Sequence, residues 1–147
     1  AIGITADQVR AAVHEEIVPV ISPIGATGDG TVLNINADIA AGALAASLQA
    51  SKLIYVSDVT GIMHDPSDQE TLIPSVTSKE IDQLIKRNII AGGMIPKVRS
   101  ATTALAAGVE KVHLIGGRIA HSLLLEIFTD SGIGTEIREK EKSPRPA

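Results

Sequence analysis

Along this chain the apolar residues switch repeatedly between two spacings, and that alternation limits the fold more than any other feature. ADIAAGALAASLQA, KEIDQLIKRNI and HSLLLEIF read as helices, whereas KLIYVSD and KVHLIGG are compact apolar runs of strand type. IVPVISPI reads as a buried strand interrupted by prolines, LNIN as an extended continuation, LIPSV as a short edge strand and GTEIR as a last strand after the turn DSGIG. GATGDGT is a turn-rich link, either a hairpin or a flexible loop. Strands alternating with helices need crossover connections. The pattern therefore predicts an α/β domain of three layers, with a mainly parallel sheet covered on both faces. Ligands of such sheets sit beyond the carboxyl ends of the strands, where helix N-termini also gather. The glycine-bearing links after IVPVISPI, KLIYVSD and KVHLIGG are expected on that edge.

Local signals set the helix starts. Thr5 can cap a short helix running to about Glu16, and Thr77 with Glu80 forms the T-x-x-E of a capping box. Pro96 reads as the first residue of a helix with body VRSATTALAAGV, since its missing N–H is not needed there. Lys97 then lies in the first turn, where the helix dipole disfavours a cation by about 0.3–1 kcal/mol. A bound anion would reverse that penalty.

With 147 residues, one core and one domain are expected, spanning 1–138, before a charged, proline-rich end at 139–147 that reads as a disordered tail. The chain starts at Ala1 without an initiator Met, close to a helix, as if cut from something longer. Aromatic residues are only 1% of the chain, so Ile, Leu, Val and Ala must fill the core, and the composition argues against base-stacking platforms. A formal charge of −4 argues further against nucleic acid as a partner. Without cysteine there are no disulfides or thiolate metal sites, no apolar run approaches a membrane span, and the start lacks a secretory signal. A cytoplasmic location and no membrane partner are the expectation.

Several residues are candidates for chemistry. Asn34 and Asn36 are two apart in an extended segment and so share a side, with Asp38 opening the next helix. They suit recognition of a polar ligand, but Asn36 equally suits an N-cap and Asp38 a complement to the dipole. Lys97 beside the N–H groups of Gly92, Gly93 and Met94 suits a phosphate, although a helix lysine can also simply reach solvent. Ser57 and Asp58 end a strand ahead of Gly61, as a nucleotide site or an ordinary turn would require. His64, Asp65 and Asp68 lack a metal-ligand spacing, His113 reads as packed, and His121, opening a helix, is either neutral or meets an anion. Neither a P-loop, a G-x-G-x-x-G turn nor a G-x-S-x-G elbow is present.

LNINADIAAGALAASL, LIYVSDVTGI, IIAGGMIPKV and GGRIAHSLLLEIFTDSGIGT, taken in this order and spacing, resemble the acetylglutamate kinases of the amino acid kinase family. The resemblance runs from IVPVISPIG to GTEIR and implies transfer of the γ-phosphoryl of ATP, with Mg²⁺, to the side-chain carboxylate of N-acetyl-L-glutamate in arginine biosynthesis. Asn34 then resembles the family's acetylglutamate-binding asparagine, Asp38 the aspartate that orients the catalytic lysines, and Lys97 the lysine that stabilises the transferring phosphoryl. Asp58, Val59, Thr60, Gly61, Ile62 and Met63, with Ile89, Ile90 and Ala91, resemble the nucleotide site. The end of the chain is similar to members inhibited by arginine, which implies a possible effector site at His121 and Gly132 to Gly134. A homo-oligomer is also implied.

One departure qualifies all of this. The family's Gly-rich phosphate loop, its second catalytic lysine and much of its amino-acid pocket lie in a first half that is not visible here. The resemblance thus implies the carboxyl-terminal, nucleotide-binding lobe, inactive as a kinase by itself. Two other readings stand beside it: a non-catalytic effector-binding or assembly module derived from such a kinase, and a related amino acid kinase with another substrate.

Overall fold

A computed structural model describes residues 6–129 and 132–139. Thr5, part of the DSGIG turn and all but the first residue of the expected tail lie outside the described residues. A first helix, α1 (Asp7–His14), precedes an antiparallel hairpin of β1 (Ile24–Ala26) and β2 (Val32–Asn34). Then follow α2 (Ala37–Leu48), β3 (Lys52–Ser57), a 3₁₀ turn at Gln69–Thr71, β4 (Ser75–Thr77) and α3 (Ser78–Lys86). The order closes with α4 (Met94–Ala106), β5 (Lys111–Gly116), α5 (Ser122–Phe128) and β6 (Thr135–Arg138).

Four strands form the main sheet among the described residues, in the order β3-β5-β6-β4. β3 runs parallel to β5, with Leu53 opposite Val112 and Tyr55 opposite Leu114, and β4 runs parallel to β6. β6 is antiparallel to β5, so the sheet is mixed, with two parallel pairings on either side of one antiparallel pairing. The crossovers through α3 and α4 account for the parallel part. β6 instead returns beside β5 after α5, a direction that apolar spacing does not encode.

Val112 and Leu114 pack into the main core with Leu53, Tyr55, Val76 and Ile137 beneath the buried side of α4. That side comprises Val98, Ala101, Ala104 and Leu105. The alternate residues of β5 face α5, where His113 meets Glu126. Three layers result, with α2, α3 and α4 on one face and α5 on the other.

Two local expectations are corrected. IVPVISPI is not a buried strand: residues 17–22 form none, and Val20 is 96% exposed. Pro19 and Pro23 withdraw two ladder donors from so short a segment, leaving pairing only from Ile24 onward. GATGDGT is the hairpin alternative, with its tip closed by Thr27 N–H donating to Thr31 O at 2.9 Å and Gly30 at φ 87°. Secondly, α4 starts two residues before Pro96, because Gly92 at φ 54° turns the chain and Gly93 already has helical angles. Proline fits the third position as well as the first, since no N–H of an opening turn has an intrahelical partner.

Candidate functional site

Two helix tips converge at one end of the sheet. Asn36 caps α2, its carboxamide oxygen accepting the N–H of Ile39 at 3.1 Å, and this cap places Asp38 in the first turn. Lys97 stands at the fourth position of α4, and its Nζ lies 2.5 Å from Asp38 Oδ1. The two side chains are 13% and 25% exposed, so solvent screens the pair only in part. The oddly placed lysine therefore finds its anion in the protein. Asp38 offsets the unfavourable dipole at α4 while occupying the favourable end of α2.

A cleft of about 790 Å³ opens beside this pair. Its walls are the strand end Ser57–Asp58 with Val59 and Gly61–Met63, the α3–α4 link Asn88–Ala91, and Gly93, Met94, Asp38 and Lys97. Of the residues named from the sequence, Asp58, Val59, Gly61, Ile62, Met63, Ile89, Ile90 and Ala91 all line it. Thr60 does not; it packs against Gly116, where a Cβ would lie 3.2 Å from Thr60 Cα. Asn34 lies outside the lining as well, exposed at the end of β2 and paired with Ile24.

The N–H groups near Lys97 are less free than the spacing suggests. Met94 donates to Ala91 O and Ile95 to Gly92 O, each at 3.2 Å, so the first turn is closed on itself. Gly93 presents its backbone to the cleft, and Lys97 supplies the charge. The opposite wall is braced by hydrogen bonds from behind. Thr135, fully buried on β6, accepts Ile62 N–H at 2.9 Å and donates to Ile73 O at 2.7 Å. A Cβ on Gly61 would come within 2.6 Å of Thr135 Oγ1, so only glycine lets the segment lie this close.

Beneath the ion pair sits Tyr55, 4% exposed. Its hydroxyl lies 2.9 Å from Ser100 Oγ, and Ser100 Oγ donates to the Asp38 carbonyl at 2.7 Å. Burial pushes the phenol up to about 12, with the Asp38 charge adding to it and the Ser100 bond opposing it. Tyr55, Ser100 and Thr135 were not singled out by sequence. Tyr55 alone carried a signal, as the one tyrosine of the chain on a strand ending at the cleft.

At the far face, His113 Nδ1 contacts Glu126, both buried, and Glu126 Oε2 accepts the N–H of Ile133 at 2.8 Å. Gly132, at φ 61°, passes against that carboxylate, and Gly134 packs on the Leu114 carbonyl too closely for any side chain. His121 is exposed, left-handed at φ 58°, and makes no cap bond at the start of α5. His113 is thus packed, as expected, and its ring nitrogen is also hydrogen-bonded to Glu126.

Residues 2–116 match the model of the amino acid kinase family. An acetylglutamate kinase of Akkermansia muciniphila is 54% identical over 142 residues, which are 96% of this chain and 48% of the relative. Another, of Methanosarcina barkeri, is 52% identical over 125 residues, 85% of this chain and 39% of the relative. Among solved structures, N-acetylglutamate synthase of Neisseria gonorrhoeae, in complex with coenzyme A and L-arginine, aligns at TM-score 0.83 and 32% identity. The alignment covers 90% of this chain and 30% of that one. The chain spans about half the length or less of the curated relatives it matches.

Proposed function

The chain belongs to the amino acid kinase family, and we propose that it supplies the nucleotide-binding lobe of an acetylglutamate kinase acting in the cytoplasm. The reaction is transfer of the γ-phosphoryl of ATP to the side-chain carboxylate of N-acetyl-L-glutamate, a step of arginine biosynthesis. The observation that carries this reading is the Lys97–Asp38 pair at the mouth of a cleft large enough for a nucleotide.

The chemistry asks little beyond positioning. A carboxylate nucleophile is already ionised at neutral pH, so no general base is required. Its oxygen attacks the γ-phosphorus as the bond to the ADP oxygen breaks, and the obstacle is repulsion between anions brought into line. Lys97 answers it by turning its ammonium from Asp38 toward the phosphoryl oxygens, and Asp38 keeps that ammonium at the cleft when no phosphate is present. Asp58, Val59 and Gly61 to Met63, braced by Thr135 behind Ile62, hold the base and ribose against Ile89 to Ala91 of the α3–α4 link. Asp38 and Asp58 are hard oxygen donors facing the cleft, the type of ligand that suits Mg²⁺ carried on a triphosphate. Asp38 and Asp58 would hold such an ion against the triphosphate, and the chemistry it would supply is neutralisation of charge on the phosphate oxygens. Asn34, on the strand leading into α2, offers N-acetylglutamate a carboxamide that both donates and accepts.

Arginine control belongs to the same reading. Its support is the Glu126 carboxylate beside Gly132 and Ile133, chemistry suited to a guanidinium, together with the L-arginine in the related synthase. His121, exposed at the start of α5, belongs to the same proposed effector site. Leu123, Leu124 and Phe128 of α5 are exposed, which favours a homo-oligomer.

The test is co-expression with the amino-terminal half of the Akkermansia relative, followed by an assay of acyl-phosphate formation. ADP release that depends on N-acetylglutamate and disappears in Lys97→Met is expected. A folded assembly with no such release refutes the proposal.

A further inference from the structure

The structure assigns Tyr55 as the residue that positions Lys97 and Asp38 together, its ring supporting the ammonium and its hydroxyl fixing the aspartate backbone through Ser100. The inference rests on the reading of Lys97 as the phosphate-contacting group and adds a residue that the reading did not contain.

Four contacts carry it. Lys97 Nζ lies 5.0 Å from the centroid of the Tyr55 ring, within range for attraction between a cation and an aromatic face. Tyr55 Oη lies 2.9 Å from Ser100 Oγ and 3.1 Å from the Asp38 carbonyl, while Ser100 Oγ donates to that same carbonyl at 2.7 Å. A phenol has one proton, so the consistent path runs from Tyr55 to Ser100 and from Ser100 to Asp38. Gly42 leaves room for this junction, since a Cβ there would fall 2.2 Å from Ser100 Oγ. One strand side chain thereby ties the tip of α2 to the body of α4.

The arrangement matters because an ion pair alone directs a lysine poorly. Four rotatable bonds let the ammonium follow any oxygen, and an arriving phosphate competes with Asp38 for it. A ring face does not compete. It keeps the ammonium partly desolvated and at one height above the sheet while the partner changes from carboxylate to phosphate. The phenol must stay neutral to do so, and burial, which pushes its pKa up to about 12, keeps it so.

The test uses the 147-residue chain and two readouts. In carbon-resolved NMR spectra, the ε-methylene protons of Lys97, assigned by their loss in Lys97→Met, are expected upfield of ordinary lysines through the ring current. Tyr55→Phe should keep that shift and Tyr55→Leu should abolish it. In calorimetric titrations with MgATP, Tyr55→Leu is expected to weaken binding about tenfold and Tyr55→Phe by about threefold or less. An ordinary Lys97 shift in the unsubstituted chain overturns the proposal, and this needs no Tyr55 variant to fold. So does a folded Tyr55→Leu that retains both the shift and the affinity. If Lys97→Met itself leaves MgATP affinity unchanged, the reading of Lys97 fails, while the ring-current shift still decides the role of Tyr55.

Discussion

Adding one methyl group at Gly42 probes the contact that brings the two helix tips together. An alanine Cβ would stand 2.2 Å from Ser100 Oγ, 3.2 Å from Ser100 O and 3.2 Å from Tyr55 Oη. The hydroxyl can rotate aside only by giving up its 2.7 Å bond to the Asp38 carbonyl, and the backbone oxygen cannot rotate at all. Overpacking of this kind costs about 1–3 kcal/mol. Replacing a helical glycine returns about 0.5–1 kcal/mol, so Gly42→Ala is expected to lose up to about 2.5 kcal/mol net. Ser100→Ala alone should cost about 1 kcal/mol for its lost hydrogen bonds. In the double variant the new methyl fills the space that the hydroxyl left, so the combined loss should fall short of the sum by about 1 kcal/mol. Urea unfolding with an unchanged slope reads all three values. A Gly42→Ala chain more stable than the parent, or strictly additive losses, would refute the close approach of α2 and α4 on which the site geometry rests.

Two further outcomes follow from the same contacts. Because the Tyr55 pKa is raised to about 12, its contribution to stability is complete below about pH 10 and is lost as pH climbs toward 12. Over that window the parent should lose about 1–2 kcal/mol more than Tyr55→Phe, allowing for screening near the cleft, and parallel curves would contradict the shift. Thr135→Val keeps the shape but strands the Ile62 N–H and the Ile73 carbonyl, at an expected cost of about 2–4 kcal/mol in urea unfolding. A loss under about 1 kcal/mol would show that neither group depends on this hydroxyl.

The parts of the fold legible in the sequence are those fixed by local rules. Thr77 and Glu80 form the expected capping box with both bonds present. α2, β3 and β5 fall on ADIAAGALAASL, KLIYVS and KVHLIG. What was illegible depends on distant partners. IVPVISPI has the composition of a core strand, yet its prolines remove ladder donors and residues 17–22 pair with no strand among the described residues. The antiparallel placement of β6 follows from where α5 docks, which the period of GTEIR does not report. In the site, Lys97 was conspicuous because a cation at a helix start asks for an anion, and Asp38 supplies it from 59 residues away. Thr135 and Ser100 gave no such sign. A buried hydroxyl bridging two segments looks, in one dimension, like any other.

The most direct measurement is a calorimetric titration of the 147-residue chain with MgATP, repeated on Lys97→Met, with amide shifts followed in parallel. Saturable binding, weakened about tenfold or more by the substitution and shifting amides of residues 58–63 and 89–91, is the expected result. A folded chain that takes up no nucleotide, or binds it equally well without the lysine, would contradict the account.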